Sequence, residues 1–434
     1  MNLANRDSQA IWHPYTQHQI TNHPLPMTKG KGAYLYDVNN KKYLDLISSW
    51  WVNLHGHSHP DIAKAIYEQA LELEHVIFSG FTHEPAVKLA ENILKLLPSH
   101  FKKLFYSDNG STAVEVALKI AFQYWRNQGD FNRHRFIAFD QGYHGDTFGA
   151  MAMGKKSGFF SQFESLLFHV DTFPYPATFI NDETAENKEA LILEKMEHHL
   201  QKFGKETAAI ILEPLVQGAG GMRMCTSRFL KSLQELMHQH HVLIIFDEVM
   251  TGFGRTGDFF ACLKSKTQPD MICLSKGITG GFLPLAVTAC SDNIYSTFLG
   301  KDFSQALAHG HSFTANPLGC AAALTSLDLL QQQNTLDQMK MIENLHHQNL
   351  KELAKLDNVM NTRYCGTIAA FNLRTNMQYG SDASIHLRNR FLEAGLLIRP
   401  LGNTIYFLPP YCITESELRH AYEIVINEIQ GVLA

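Results

Sequence analysis

In "MICLSKG" (Met271–Gly277), Lys276 follows an apolar run and precedes a glycine. An amine at the end of a buried strand loses its water. Its pKa falls, and it becomes a nucleophile able to bond a carbonyl carbon. A lone "SKG" suits a surface loop better, so its neighbours must decide. Asp247 follows another apolar run, "VLIIF" (Val242–Phe246). Standing alone, such a carboxylate would cap the next helix. Together, a strand-end lysine and a strand-end acid match the needs of pyridoxal phosphate, PLP. That cofactor takes a lysine for its aldehyde and an acid for its pyridine nitrogen. The protonated ring then withdraws electrons from a substrate Cα.

Other stretches bear on such a cofactor. "NGST" (Asn109–Thr112) opens the helical pattern "AVEVALKIAFQYW". Gly110 lets a ligand approach the backbone, and a helix start attracts phosphate, with Ser111 offering a hydroxyl. Without a ligand, Ser111 or Thr112 is simply a cap. "GYHGDTFGAM" (Gly142–Met151) sets Tyr143 just past a strand end, as a core ring or as one stacked on a flat cofactor. "HGHSF" (His309–Phe313) offers Ser312 as a second hydroxyl for phosphate. His55, His57 and His59 lie two apart, a spacing a metal could use on a strand. Gly56 and Pro60 favour a turn instead, and no metal is expected. The GxxxxGK[ST] nucleotide loop does not occur.

The elements that must hold these residues are visible as short apolar runs. "KLFYS" (Lys103–Ser107), "RFIAF" (Arg135–Phe139), "AAIIL" (Ala208–Leu212), "VLIIF", "MICL" and "PLAVTA" (Pro284–Ala289) alternate with helical patterns. That rhythm predicts an α/β fold with a mainly parallel sheet, whose ligands bind beyond the carboxyl ends of the strands. Ser107–Asp108, Glu213, Asp247–Glu248 and Ser275–Lys276 fall at those ends. After residue 325 the pattern changes. A polar helical region over 326–356 leads to "GTIAAFNL" and "LLIRPLGNTIYFLPPY", read as strands of a smaller lobe. Thr414 and Glu417 open a final capped helix. "GAYLYDVNNKKYLDL" predicts a hairpin turning at Asn39–Asn40. The expected division is 1–48 with the small domain, 49–325 as the large cofactor-binding domain, and 326–434 as the small α+β domain.

The chain has 434 residues, 45% hydrophobic and 18% charged, enough for a large core in two or three lobes. A net charge of -5 argues against nucleic acid as a partner. The seven cysteines are odd in number, scattered and free of any CxxC pair, which predicts free thiols in a reducing compartment. The polar start "MNLANRDSQA" lacks a signal-peptide core, and no apolar run approaches the ~18 residues of a membrane span. These features predict a soluble, cytoplasmic protein with no membrane partner.

Taken together, "SDNGS", "GYHGDTFGAM", "EPLVQGAGGM", "FDEVMTGFGRTG", "LSKGITGG" and "HGHSF" resemble, in this order, the class III aminotransferases of the fold type I PLP enzymes. The resemblance implies that fold: a large domain with a seven-stranded-type sheet flanked by helices, plus a smaller domain. It implies that Lys276 bonds the cofactor aldehyde and that Asp247 meets the pyridine nitrogen. Gly110 and Ser111 would hold the phosphate, with Tyr143 stacked on one ring face and Val249 packed on the other. His311 and Ser312 stand where the family commonly has Pro–Thr. Serine keeps the hydroxyl, while His311 either adds a donor or fills space.

"IWHPYTQ" (Ile11–Gln17), "SSWWVNLHGHSHP" (Ser48–Pro60) and "IRPLGNTIYFLPPY" (Ile398–Tyr411) are similar to a narrower group within that family. Its members move an amino group from S-adenosylmethionine to 8-amino-7-oxononanoate, giving 7,8-diaminononanoate in biotin synthesis. The similarity implies a substrate pocket of Tyr15, Trp50, Tyr143, Lys276 and Arg399, with Gly310 supplied by the second subunit of a homodimer. Trp50 and Trp51 suit a long aliphatic chain, and Arg399 suits a distant carboxylate. Turnover would be ping-pong, through pyridoxamine phosphate. Two alternatives stay open: a class III aminotransferase for ω-amino acids or acetylornithine, and a silent PLP-binding regulator. No basic helix or added domain supports the regulator. Lysine is the rival amino donor.

Overall fold

The structure is a computed structural model and describes residues 2–20, 24–154 and 160–430. Seven strands form the central sheet, in the order Phe101–Ser107, Ala286–Ser291, Met271–Leu274, Leu243–Asp247, Thr207–Leu212, Arg135–Phe139 and Asp171–Phe173. Ala286–Ser291 runs antiparallel to both of its neighbours, and the other pairs are parallel. Every residue of Thr207–Leu212, Leu243–Asp247 and Met271–Leu274 is buried. That is why these runs are apolar without alternation: both faces of the sheet are covered. Ile210, Leu212, Ile244, Phe246, Ile272 and Leu274 feed one core, while Ala209, Ile211, Leu243, Ile245, Met271 and Cys273 feed the other.

The second core is closed by the helix Gly110–Asn127, which buries Ala113, Val114, Ala117, Ile120 and Ala121. Asn109 and Thr112 form a reciprocal capping box at its start. A cap of this kind is worth about 1 kcal/mol. Here it also fixes the helix start beside the sheet's carboxyl edge.

The smaller sheets draw on both ends of the chain. Met27–Lys31, Tyr34–Asp37 and Lys42–Asp45 form an antiparallel unit, and Leu396–Leu397 joins it in parallel to Lys42–Asp45. The expected hairpin turns through Asn40 at φ +61°, with Asp37 Oδ1 accepting from the amides of Asn39 and Lys41. Val359–Cys365, Ile368–Leu373 and Thr404–Phe407 form a three-stranded sheet. The helical region expected over 326–356 is two helices, Pro317–Leu330 and Gln333–Leu353. Thr414 and Glu417 cap the helix Glu415–Gln430 reciprocally. Among the described residues no helix is long and apolar enough to cross a membrane.

Candidate active site

Two adjoining cavities open at the carboxyl edge of the central sheet. The larger, about 670 Å³, lies among Asp108–Ser111, Tyr143–Thr147, Glu213, Asp247, Val249 and Ser275–Lys276. The second, about 370 Å³, is walled by Tyr15, Trp50, Tyr379, Arg399 and Tyr406. Trp51, Tyr143, Asp146 and Lys276 line both, so Lys276 sits where the two meet.

Lys276 is the first residue after the strand-end Ser275, whose hydroxyl donates to the Leu285 carbonyl. Its φ is +47°, a conformation that costs a non-glycine residue of order 1 kcal/mol and that clusters at functional sites. The amine lies 4.7 Å from the Trp51 ring centroid. Among the described residues it meets no hydrogen-bond or ion-pair partner, although it keeps some cavity-facing surface. Burial holds its pKa below the ordinary lysine value, and attraction to Asp247 and Glu213 only partly offsets this.

Asp247 ends its strand with the side chain buried. Its Oδ2 is 2.6 Å from His144 Nδ1, and its Oδ1 accepts from the Val249 amide at 3.1 Å. Burial alone would lower the pKa of His144, but the hydrogen bond and charge of Asp247 outweigh it and the value is raised. Asp247 is therefore paired with the His144 ring, whose protonated form it favours, and still has free lone pairs to accept a proton-bearing ring nitrogen. Glu213 accepts the amides of Tyr143 and Gly218 at 3.1 and 2.9 Å, tying two wall segments together. Burial pushes its carboxyl up to about 7.

At the helix start, Ser111 Oγ pairs with Thr147 Oγ1 at 2.7 Å and accepts the Thr147 amide at 3.0 Å. A Cβ on Gly110 would come 2.6 Å from Val249, and one on Gly145 would come 2.2 Å from Ser111 Oγ. Both glycines are required by close approach, and Gly145 also by φ +127°. Among the described residues, Ser107 Oγ and Asp108 Oδ1 are buried without partners at this edge. A helix start with unpaired polar atoms, a free amine and a paired carboxylate is a donor set that fits PLP.

The second cavity is aromatic. Tyr15 donates to Asp146 Oδ1 at 2.6 Å and meets Trp50 edge to face at 5.9 Å. Burial, then the bond to Asp146, pushes the Tyr15 phenol up to about 12. Trp51 Nε1 donates to Tyr406 Oη at 3.0 Å. Arg399 lies 5.0 Å from the Trp50 ring and donates to Tyr379 Oη. The turn carrying the tryptophans is strained, with Ser48, Ser49 and Trp51 all at positive φ. Asp45 holds it, accepting the amides of Ile47 and Ser49 and pairing with His57.

Lys276, Asp247, Tyr143, Gly110, Ser111, Val249, Tyr15, Trp50 and Arg399 thus converge on the two cavities. Gly310, His311 and Ser312 do not line either one. Gly310 and Ser312 are exposed, and His311 touches the edge only through a 3.9 Å pairing with Asp108. His311 also stands 3.3 Å from His309, which in turn meets Lys119. His55 and His57 are engaged by Ser326 and Asp45. Sequence reasoning gave no role to His144, Asp146 or Tyr379. His144 and Asp146 sit inside "GYHGDT" beside Tyr143, so the motif itself carried that signal. Tyr379 had none, because its partner Arg399 belongs to another loop.

The family model of aminotransferase class III matches residues 15–429. The chain belongs to the class III aminotransferases, PLP-dependent enzymes of fold type I. It is 50% identical over 423 residues to the adenosylmethionine-8-amino-7-oxononanoate aminotransferase of Synechococcus elongatus, covering 97% of this chain and 99% of that protein. The protein of the same name from Geobacter sulfurreducens is 40% identical, covering 96% and 94%. The crystal structure of the Methanocaldococcus jannaschii adenosylmethionine-8-amino-7-oxononanoate aminotransferase matches with TM-score 0.92 at 36% identity, over 99% of this chain and 98% of that one. A PLP-bound amine transaminase from an uncultivated Pseudomonas species matches with TM-score 0.90 at 29% identity, over 96% and 98%.

Proposed function

We propose that this aminotransferase moves an amino group from S-adenosylmethionine to 8-amino-7-oxononanoate, giving 7,8-diaminononanoate for biotin synthesis. The observation that carries the reading is the aromatic cavity holding Arg399 over Trp50 and shared with Lys276. An acceptor with a long aliphatic chain and a terminal carboxylate needs an apolar wall, a guanidinium and a reacting amine in one cleft. The names of the relatives at 40–50% identity support it.

When bound, PLP supplies the electron sink that makes the proton on a substrate Cα acidic. The other tasks fall to the chain. Lys276 Nζ would hold the cofactor through its aldehyde and, once freed, would take the donor's Cα proton as a general base and return a proton as an acid. Burial, by lowering its pKa, makes the neutral amine easier to reach than in an exposed lysine. Asp247, held by His144, keeps a proton on the pyridine nitrogen. Gly110 and Ser111 would hold the phosphate, and Tyr143 and Val249 would pack against the ring. Tyr15, Trp50, Tyr143 and Arg399 orient the acceptor.

Gly310 and Ser312 are assigned to the neighbouring active site of a homodimer, which accounts for their exposure here, and the half-buried His311 between them goes with the same segment. The domain division is 1–48 with 326–434, and 49–325 for the cofactor. The parallel pairing of Lys42–Asp45 with Leu396–Leu397 supports that grouping. The cellular place is the cytoplasm, in keeping with seven free cysteines.

The test is a panel of donors and acceptors with the purified, PLP-loaded protein. Amino transfer to 8-amino-7-oxononanoate with ping-pong kinetics is expected, with S-adenosylmethionine a better donor than lysine. No transfer to that acceptor, with good turnover of an ω-amino acid or acetylornithine, would replace this reading by the other class III activity.

A further inference from the structure

We propose that a third cavity, outside the reaction cleft, binds a small oxyanion ligand bearing a carboxylate or a phosphate. It holds about 500 Å³, within the usual range of small-molecule sites. Two arginines, Arg223 and Arg363, stand in its wall, and among the described residues no aspartate, glutamate or lysine does. The rest of the lining is rich in amide and hydroxyl side chains, among them Asn361, Asn372, Asn403 and Thr375.

Arg363 is the decisive group. It is buried, and every acceptor it meets is neutral. Its Nε donates to the Met222 carbonyl at 2.7 Å and its Nη2 to the Gly221 carbonyl at 2.6 Å. Its Nη1 reaches the Asn361 carbonyl at 2.5 Å and Asn372 Oδ1 at 2.8 Å. Among the described residues no carboxylate cancels its charge. Arg223 adds charge of the same sign, partly balanced by Asp140 at 2.9 Å. A buried cation without a counter-ion is expensive unless something anionic completes the site.

Two independent features mark the same wall. The strand Val359–Cys365 is bulged between Met360 and Arg363, and Asn361 sits there at φ +52°. Bulges of this kind re-aim side chains beside functional sites. The Asn361 side-chain amide meets no partner among the described residues. Thr375 Oγ1 is buried and also unpartnered. Ala219, Tyr379 and Leu401 line both this cavity and the aromatic one. Tyr379 accepts from Arg399, so this tyrosine is a wall common to the new cavity and the reaction cleft.

The experiment is isothermal titration of the PLP-loaded protein with inorganic phosphate, adenosine monophosphate and succinate, in a buffer free of other oxyanions. The three probes separate free phosphate, phosphate ester and carboxylate. Saturable binding of at least one at millimolar or lower concentration is expected. It should weaken by at least about tenfold in Arg363→Gln and in Asn361→Gly, the loss of one hydrogen bond to a charged group. Glycine keeps the positive φ, so Asn361→Gly should fold even if Arg363→Gln does not. Arg399→Ala should leave the binding intact. The proposal is overturned if no probe binds, if affinity is unchanged in Asn361→Gly, or if Arg399→Ala abolishes it. The last result would place the anion in the reaction cleft instead.

Discussion

Burial pulls the Lys276 amine towards its neutral form while Asp247 and Glu213 pull the other way, and burial wins. Lys276→Ala should lower turnover by about ten-thousandfold or more, the upper range for loss of a proton-transfer group, with the fold intact by circular dichroism. A variant that kept turnover would remove the lysine from the mechanism. A second consequence concerns stability without cofactor. Between the depressed folded pKa and the ordinary 10.5, the unfolded chain binds the extra proton, so stability rises with pH across that window. Cofactor-free Lys276→Met should therefore melt above its parent at neutral pH, with the gap narrowing as pH climbs towards 10.5. A gap independent of pH would contradict the burial argument. Lys276 and Asp247 were legible in the sequence as a pair at two strand ends, set among the ordered family motifs; neither sufficed alone. His144, Asp146 and Tyr379 were not, since their meaning lies in contacts to Asp247, Tyr15 and Arg399, which the sequence does not pair.

At the level of elements, the helix Gly110–Asn127 does two jobs: it covers the sheet and presents its start to the ligand. Gly110→Ala should force Val249 aside, because the new Cβ would lie 2.6 Å from Val249 Cγ1. Overpacking of this size costs about 1–3 kcal/mol. Cofactor affinity, measured by titrating PLP into the cofactor-free protein, should fall by at least tenfold if that cost is met at the bound site. Unchanged affinity would mean that Val249 yields freely. The buried strands were readable from apolar runs such as "AAIIL" and "VLIIF". The edge strand Asp171–Phe173 was not, being three half-buried residues with no run to mark it. The break between Pro317–Leu330 and Gln333–Leu353 also escaped notice, because "QQQN" carries no glycine or proline to signal a stop.

For the whole molecule, the exposure of Gly310 and Ser312 makes the subunit arrangement testable. If each active site borrows Ser312 from its neighbour, mixing Lys276→Ala with Ser312→Trp should restore activity that neither has alone. Mixed dimers then contain one site with both native residues. Failure to complement, with mixed dimers present by mass spectrometry, would assign Ser312 to its own subunit's surface. Such an arrangement could enter the sequence reading only through the family resemblance, since no spacing within one chain encodes contacts made by another. The parallel join of Lys42–Asp45 to Leu396–Leu397 has its own consequence during synthesis. A ribosome releases Lys42–Asp45 early and its partner strand near the end. The nascent protein therefore carries an unpaired strand border for most of translation, and Trp51 waits equally long for Tyr406. Open borders of that kind invite aggregation, so a transcript truncated before Leu396 should yield insoluble product even though every strand of the central sheet has already been made.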